Sequence, residues 1–176
     1  MGRHLTAILA LPFMVVAVVP TAIVLFAREW DTRWTLEWPA VLIPWGFGAA
    51  LLLGGFLLWA WCAWLFARVG RGTLAPWDPT QRLVVVGPYR HVRNPMISGV
   101  LAMLLGESLI LGSALVLAWT VAFWLLNHLW FVGSEEPGLR RRFGEAYQRY
   151  QAHVPRWVPR WSPWVDPAGT VSCGNG

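Results

Sequence analysis

An arginine-dense stretch is the part of the chain whose residue types are best suited to chemistry. It covers residues 87–99 and passes from a polar loop, which contains Arg90 and Arg93, directly into an apolar segment. Guanidinium groups are planar and permanently charged, and they bind carboxylates and phosphates through paired hydrogen bonds. A second polar block, residues 135–159, adds two adjacent acids and more arginines. Together the two blocks predict a site beside lipid in which arginines can bind anionic groups.

The elements that must position these blocks are long apolar runs. Hydrophobic residues make up 56% of the chain, which has 14 tryptophans, and this composition is typical of a polytopic membrane protein. A spanning helix needs about 20 apolar residues, and the four candidate runs are 6–27, 40–67, 96–111 and 113–132. The last two form a hairpin that turns at Gly112-Ser113. Its two ends therefore return both polar blocks to one membrane face.

The distribution of arginines predicts which face this is. With four spans, the N-terminus, the 68–95 loop and the C-terminal tail share one side and carry 12 of the 14 arginines, whereas Arg28 and Arg33 lie on the other side. The positive-inside rule places the larger set in the cytoplasm. The opposite loop, residues 29–39, contains three tryptophans of the kind that form an aromatic belt at an outer interface.

Both polar blocks also have purely structural interpretations. Asn94 followed by Pro95 is a favourable helix start, because Asn can cap free N–H groups and Pro fits the first turn. Arg90 and Arg93 would then be anchors whose charged ends reach lipid headgroups. In the second block, Ser134-Glu135-Glu136-Pro137 predicts another helix start, with acids at the positive end of the helix dipole.

The second block is predicted to continue as a cytoplasmic amphipathic helix that lies along the membrane interface or covers a pocket. Apolar residues recur on one face at intervals of three and four, and they are Leu139, Phe143, Ala146 or Tyr147, and Tyr150. Prolines at positions 155, 159 and 163 prevent the helix from continuing. The tryptophans among them, Trp157, Trp161 and Trp164, are expected to be headgroup-level anchors. We assign residues 1–164 to one membrane domain and expect 165–176 to be a disordered tail.

Other classes of site are not expected. Cys62 and Cys173 are the only cysteines, which excludes a disulfide framework and a cysteine-based metal site. Gly70-Arg71-Gly72 has neither a preceding strand nor the third glycine of a dinucleotide-binding fingerprint. We expect no metal ion and no nucleic-acid partner, and the sequence does not indicate an oligomeric state.

Several motifs occur together in an order that is characteristic of one family. They are Gly87-Pro88-Tyr89-Arg90, Arg93-Asn94-Pro95, Glu135-Glu136, Phe143-Gly144, Tyr147, Tyr150 and Val154-Pro155-Arg156. In these motifs the chain resembles the isoprenylcysteine carboxyl methyltransferase and phospholipid methyltransferase superfamily over about residues 70–160. The resemblance implies a bacterial-type inner-membrane enzyme that binds S-adenosylmethionine between the cytoplasmic ends of its last helices. It also implies a lipophilic acceptor that arrives from the bilayer, and S-adenosylhomocysteine as a product.

The resemblance further implies a cofactor site within residues 87–160. The residues that it implies for this site are Tyr89, Arg90, His91, Arg93, Asn94, Pro95, Glu135, Glu136, Tyr147 and Arg156. The cofactor has a carboxylate that an arginine fork can clamp, a ribose diol that suits a carboxylate, and an adenine that needs an apolar wall. Candidates for these three roles, in order, are Arg93 or Arg156, Glu135 or Glu136, and Tyr89 or Tyr147.

Helix rise indicates which intramembrane polar residues can join this site. At 1.5 Å per residue, His128 lies about 22 Å along the helix from Ser113, which returns it near the level of Asn94. Glu107 lies about 20 Å beyond Asn94, near the far interface, where a structural role is expected. The catalytic candidates are therefore His128, Glu135 and Asn94. A carboxylate acceptor needs no general base, whereas an amine or hydroxyl needs one, for which His128 and Glu135 are the candidates.

The chain departs from the family pattern in three places. Asn94 stands where the family commonly has His, Ile97 occupies the Tyr position, and Asn127-His128-Leu129-Trp130 replaces arginines that precede the paired acids in eukaryotic members. We predict an all-α protein with about four transmembrane helices, the last two a hairpin, plus the amphipathic helix. The predicted activity is methyl transfer to a lipophilic carboxylate, amine, hydroxyl or thiol. A sterol-reductase-like NADPH-dependent oxidoreductase and a non-enzymatic membrane protein remain open alternatives.

Overall fold

The computed structural model describes residues 12–34, 36–69 and 83–167, and the regular structure in these ranges is helical. The helices are α1 (Met14–Phe26), α2 (Leu42–Val69), α3 (Pro95–Leu111), α4 (Ala114–Trp130) and α5 (Glu136–His153). Short 3-10 helices occupy Arg28–Trp30 and Gly87–Arg90, and π-helical turns occupy Met14–Val18 and Phe131–Glu135. Within the described ranges, the only β-type pairing is a single bridge between Arg33 and Ser113. The predicted all-α class is confirmed for these residues.

Two helices in the described ranges are long and apolar enough to cross a membrane. They are the Leu42–Leu65 part of α2 and the segment Ala114–His153, whose apolar part is α4. α1 and α3 are also apolar but shorter, and the 17 residues of α3 extend about 25 Å against a hydrocarbon core of about 30 Å. The four-span arrangement and the cytoplasmic position of α5 stay predictions. Residues 1–11, which include the start of the first apolar run, lie outside the described residues.

The chain divides into two compact units. The first unit consists of residues 1–59 and 97–126, and the second consists of residues 60–96 and 127–176. α2, α3 and α4 each contribute residues to both units. The second unit contains all of the residues predicted for the functional site.

In the first unit, α2 and α3 approach each other through two pairs of glycines. A Cβ atom on Gly55 would lie 2.5 Å from the carbonyl oxygen of Gly99, and one on Gly106 would lie 2.5 Å from that of Gly48. These distances are far below van der Waals contact, so a larger residue would force the helices apart. The two glycines of each helix are seven residues apart and therefore share a face.

The core of the first unit is apolar and centred on α3. Val100, Met103 and Leu104 are buried. Side chains from α1, α2 and α4 pack around them, namely Val15, Val16, Leu52, Trp59, Trp119 and Phe123. Trp119 also donates its indole N–H to the carbonyl oxygen of Val15 at 3.2 Å, which fixes α4 to α1 without leaving the indole N–H unpaired.

The turn between α3 and α4 is where the sequence predicts it, at Gly112-Ser113. Gly112 has a φ of 58°, a left-handed conformation that L residues rarely adopt. The preceding loop binds the turn, because Trp34 donates its backbone N–H to the Gly112 carbonyl at 3.0 Å. Asp31 accepts a hydrogen bond of 3.0 Å from the backbone N–H of Leu115 in the first turn of α4. The hairpin prediction is confirmed.

In the second unit, the predicted helix start at Ser134 is wrong. α4 continues through the π-helical turn into α5, and Glu135 has helical angles of φ −69° and ψ −51° with no side-chain capping hydrogen bond. The wider π-helical turn ends at Glu135, two residues before Pro137, which has no N–H for an i→i−4 hydrogen bond. Helix continuity across the proline therefore replaces the predicted cap.

α5 is also not one straight amphipathic helix, because Gly144 breaks it at φ 53° and ψ −130°. The predicted apolar face nevertheless turns inward. Tyr147 and Tyr150 are buried in a core with Val85, Val154 and Trp164, against which Leu139, Phe143 and Ala146 pack.

The segment after α5 is non-helical from Val154, as the prolines predict. Trp164 is buried, so its predicted role as a headgroup anchor is wrong. The predicted disordered tail begins at residue 165. Within it, Asp166 is buried, and its carboxylate lies 3.7 Å from the Nε of Arg149. Residues 168–176 lie outside the described residues.

The glycine packing predicts that two adjacent substitutions in α2 have opposite effects. Gly55→Ala should lower the free energy of unfolding by about 1–3 kcal/mol, because the new methyl group meets the backbone of Gly99. A Cβ atom on Gly54 would have nothing within 4 Å, so Gly54→Ala should be neutral or stabilising by about 0.5–1 kcal/mol. Thermal unfolding of both variants in detergent measures the difference. Equal melting temperatures would contradict the close packing.

Candidate functional site

A buried carboxylate lies at the centre of the second unit. Glu136 is only 6% exposed and accepts four hydrogen bonds. Arg93 Nη1 donates at 2.8 Å, Gln151 Nε2 at 2.7 Å, and Arg156 donates through Nε at 2.7 Å and Nη2 at 2.9 Å. The two bonds from Arg156 form a fork across both oxygens of the carboxylate. Because a buried carboxylate is costly without partners, these bonds are what makes its burial tolerable.

The break at Gly144 brings these partners together. In a straight helix, Glu136 and Gln151 would be about 22 Å apart at 1.5 Å per residue. Their hydrogen bond of 2.7 Å shows that the chain reverses between them. A second bond across the reversal joins Arg140 Nε to Gln151 Oε1 at 2.8 Å. The two arms of α5, residues 136–143 and 145–153, therefore lie side by side.

The cluster around Glu136 has capacity left for an anionic ligand, but not on Glu136 itself. Four hydrogen bonds use the lone-pair directions of its carboxylate. Two arginines and one glutamate leave one surplus positive charge. In addition, the Nε of Arg93 is buried and finds no hydrogen-bond partner among the described residues. A carboxylate or phosphate oxygen is the type of group that would satisfy this donor.

Glu135 has a different environment from the adjacent Glu136. Successive helical residues point about 100° apart, so only one of the two acids enters the cluster. Glu135 retains an exposed surface. Enough protein surrounds its carboxyl group, however, that desolvation, followed by the charge of Glu136, raises the pKa of Glu135 to about 7. An accessible carboxyl group that titrates near neutrality can accept or release a proton during a reaction.

Two tyrosines predicted for the site have separate surroundings. Tyr147 is buried and hydrogen-bonds Arg93 through its hydroxyl, so it belongs to the Glu136 cluster. Burial, followed by the charge of Glu136, raises the pKa of Tyr147 to about 12. Tyr89 is buried with its hydroxyl against Cys62, and these surroundings, burial foremost, raise its pKa well above the usual value. Its carbonyl oxygen accepts a bond of 2.7 Å from the Tyr150 hydroxyl.

Arg90 and His91 hold the segment that follows α5. Arg90 Nε donates to the carbonyl of Trp164 at 2.7 Å, and the Nδ1 of His91 donates to that of Arg160 at 2.8 Å. A backbone hydrogen bond joins the same two segments, in which Arg93 donates its N–H to the Pro155 carbonyl at 2.9 Å. This bond places Arg156 beside the loop that contains Arg90 and Arg93.

His128 accepts a hydrogen bond from Trp157 and stacks on its ring. The indole N–H of Trp157 lies 3.1 Å from Nδ1 of His128, and the two rings stack at an interplanar angle of 27°. An indole N–H can only donate, so Nδ1 must accept. Nδ1 of His128 is therefore occupied by the indole N–H of Trp157.

The structure thus joins four of the predicted site residues in one cluster: Arg93, Glu136, Tyr147 and Arg156. Pro95 is the first residue of α3 and Asn94 precedes it, as the helix-start interpretation predicts. Contact of any of these residues with a cofactor stays a prediction. Sequence reasoning did not assign Gln151 or Trp157 to the site. Gln151 follows Tyr147 by one helical turn, so its position on the same face was a usable signal.

The chain was compared with known protein families. Residues 45–146 match the family described as phospholipid methyltransferase, and this range is more than half of the 176-residue chain. The match includes Arg93, Glu135, Glu136 and the whole of the α3–α4 hairpin. A comparison with curated proteins gave no match.

The chain reversal in α5 predicts a sharp requirement at Gly144. Its φ of 53° and ψ of −130° are strained for any residue with a side chain, although nothing lies within 4 Å of a Cβ at this position. Gly144→Ala should therefore destabilise the protein by about 1–3 kcal/mol through backbone strain alone. Gly138→Ala is the matched control, because Gly138 is helical and equally uncrowded, and it should be neutral or stabilising. Equal chemical-denaturation midpoints for the two variants would contradict the observed geometry.

Proposed function

The chain belongs to the phospholipid methyltransferase family, and from this premise we propose that it is an integral membrane methyltransferase that uses S-adenosylmethionine. We place its site at the cytoplasmic face, where 12 of 14 arginines are predicted to lie. The acceptor is proposed to be lipophilic and to enter from the bilayer. Two membrane-capable helices support the membrane location.

The main support for this proposal is Arg93, a buried arginine whose Nε has no hydrogen-bond partner among the described residues. It lies beside Glu136, whose carboxylate already accepts four hydrogen bonds. The amino-acid end of S-adenosylmethionine has a carboxylate, and Arg93 has a buried Nε without a partner in the part of the chain that the structure describes. The surplus positive charge of the cluster favours the same group. Since Glu136 is fully occupied by its arginines and Gln151, Glu135 is the acid that remains to accept bonds from the ribose diol.

The chemistry required of the protein is mainly positioning. Bound S-adenosylmethionine supplies an electrophilic methyl group. Arg93 and Arg156 hold the anionic end of the ligand, and the rigid cluster fixes their positions. For an amine or hydroxyl acceptor, Glu135 would take the proton on its carboxylate oxygen, because its pKa is about 7. Because Trp157 hydrogen-bonds Nδ1 of His128, Glu135 rather than His128 is the proposed base.

An NADPH-dependent oxidoreductase is the alternative enzyme class, and ligand binding separates the two. The purified protein should bind S-adenosylhomocysteine and should not bind NADPH in a calorimetric titration. Binding of NADPH alone would overturn the proposal. Binding of neither ligand by folded protein would favour a non-enzymatic role.

Replacement of Arg93 tests its proposed role in binding the carboxylate of the cofactor. Arg93→Ala should weaken S-adenosylhomocysteine binding by about 1–3 kcal/mol, the range for a lost hydrogen bond to a charged group. Arg93→Lys keeps the charge but not the Nε donor, so it should recover only part of the affinity. Arg141, which is exposed on α5, supplies the control, and Arg141→Ala should bind normally. Wild-type affinity in a folded Arg93→Ala protein would remove the clamp from the proposal.

The raised pKa of Glu135 predicts a pH dependence. A base must be deprotonated, so kcat/KM for an amine lipid should fall as the pH drops through about 7. Glu135→Gln should lower the plateau by about 10²- to 10⁴-fold and abolish this limb. Glu145→Gln is the control, because Glu145 is an exposed acid on the same helix. Persistence of the same limb in Glu135→Gln would assign it to another group.

A further inference from the structure

The segment after α5 holds one tryptophan fully in solvent. Trp161 is 102% exposed, whereas Trp164, three residues later, is 5% exposed. Val158 is also 75% exposed, and Pro159, Ser162 and Pro163 are exposed around it. We call residues 158–163 the tail tip. An exposed tryptophan beside an exposed valine is an apolar patch that normally has a partner.

The exposure of the tail tip is built into the structure. On one side of Trp161, Arg160 donates its backbone N–H to the carbonyl of His91 at 3.0 Å. On the other side, Trp164 donates its N–H to the carbonyl of Arg90 at 2.9 Å. The side chains of Arg90 and His91 bind the carbonyls of the same two residues, at 2.7 and 2.8 Å. Four hydrogen bonds therefore clamp the chain on both sides of Trp161 and hold its ring outward.

The charge around the tail tip has one sign. Residues 158–163 contain no aspartate or glutamate, and their one charged residue is Arg160. The guanidinium of Arg160 is exposed at the tip, where it bonds the carbonyl of His153 at 3.1 Å. A second copy of this chain would bring like charges together. A surface of negative charge with an apolar layer beneath it is complementary on both counts.

We propose that the tail tip is a docking site for anionic phospholipid. Trp161 and Val158 enter the headgroup region of the bilayer, and Arg160 pairs with headgroup phosphates. Because the clamp connects Arg90 and His91 to the tip, docking also holds the arginine-rich loop at the membrane surface. This inference concerns a surface separate from the Glu136 cluster and does not depend on methyl transfer.

Site-directed fluorescence in nanodiscs tests the proposal with the full chain. An environment-sensitive label is placed on Ser162→Cys, which keeps Trp161, in a Cys173→Ser background; Cys62 is buried and does not need replacement. Gln148→Cys is the control, because Gln148 is exposed on α5 in the same unit. Nanodiscs contain either phosphatidylcholine alone or phosphatidylcholine with about one-third phosphatidylglycerol. The readout is protection of the label from aqueous acrylamide, a neutral quencher that an anionic surface does not repel.

The proposal predicts that the label at position 162 is protected at least threefold more in anionic nanodiscs than in neutral ones, and that 1 M salt removes the difference. Trp161→Ala should reduce this protection, while thermal stability stays unchanged because the fully exposed ring has no packing to lose. Acrylamide access equal to that at position 148 would overturn the proposal. Equal protection in both lipid compositions would overturn the anionic selectivity. Protection that appears in detergent and rises with protein concentration would indicate a second copy as the partner and would also overturn it.

Discussion

Glu136 carries a carboxylate that is almost wholly removed from water, and Arg93, Gln151 and Arg156 all have to reach it. A buried carboxylate without such partners would destabilise the fold by several kcal/mol, so the second unit must bring three distant segments to one point. The reversal at Gly144 supplies Gln151, and the backbone pairing between Arg93 and Pro155 supplies Arg156. The geometry of the candidate site follows from this single requirement.

The same requirement separates two adjacent acids into different roles. The carboxylate of Glu136 is fully used by four hydrogen bonds within the protein. The carboxyl group of Glu135 stays accessible, and its pKa is raised to about 7. Similarly, Trp157 both hydrogen-bonds Nδ1 of His128 and stacks on its ring, so this nitrogen is occupied within the protein. Under the proposed function, Arg93 and Arg156 would bind the anionic end of the cofactor. Glu135 would accept bonds from the ribose diol and, for some acceptors, would also act as the base.

Local sequence signals predicted the elements well where one physical effect dominated. Asn94 does precede α3 and Pro95 begins it, Gly112-Ser113 does form the hairpin turn, and the chain is non-helical in the proline-rich segment after α5. Each depends on backbone chemistry within a few residues. The predicted cap at Ser134 failed because the helix was already formed upstream in α4, and a π-helical turn carried it past Pro137. A capping signal cannot indicate that a helix is already in progress.

The sequence by itself determined the helical class, the apolar runs, the family and the segments that meet at the site, because composition and motif order depend on residue identity. Only the tertiary structure decided which of two neighbouring glutamates is buried, and which of three similar tryptophans is exposed. Burial depends on what the rest of the chain places around a residue. Glu136 gains its partner Gln151 because the chain reverses at Gly144, eight residues away. Trp161 is held in solvent because hydrogen bonds join Arg160 and Trp164 to a loop about 70 residues earlier.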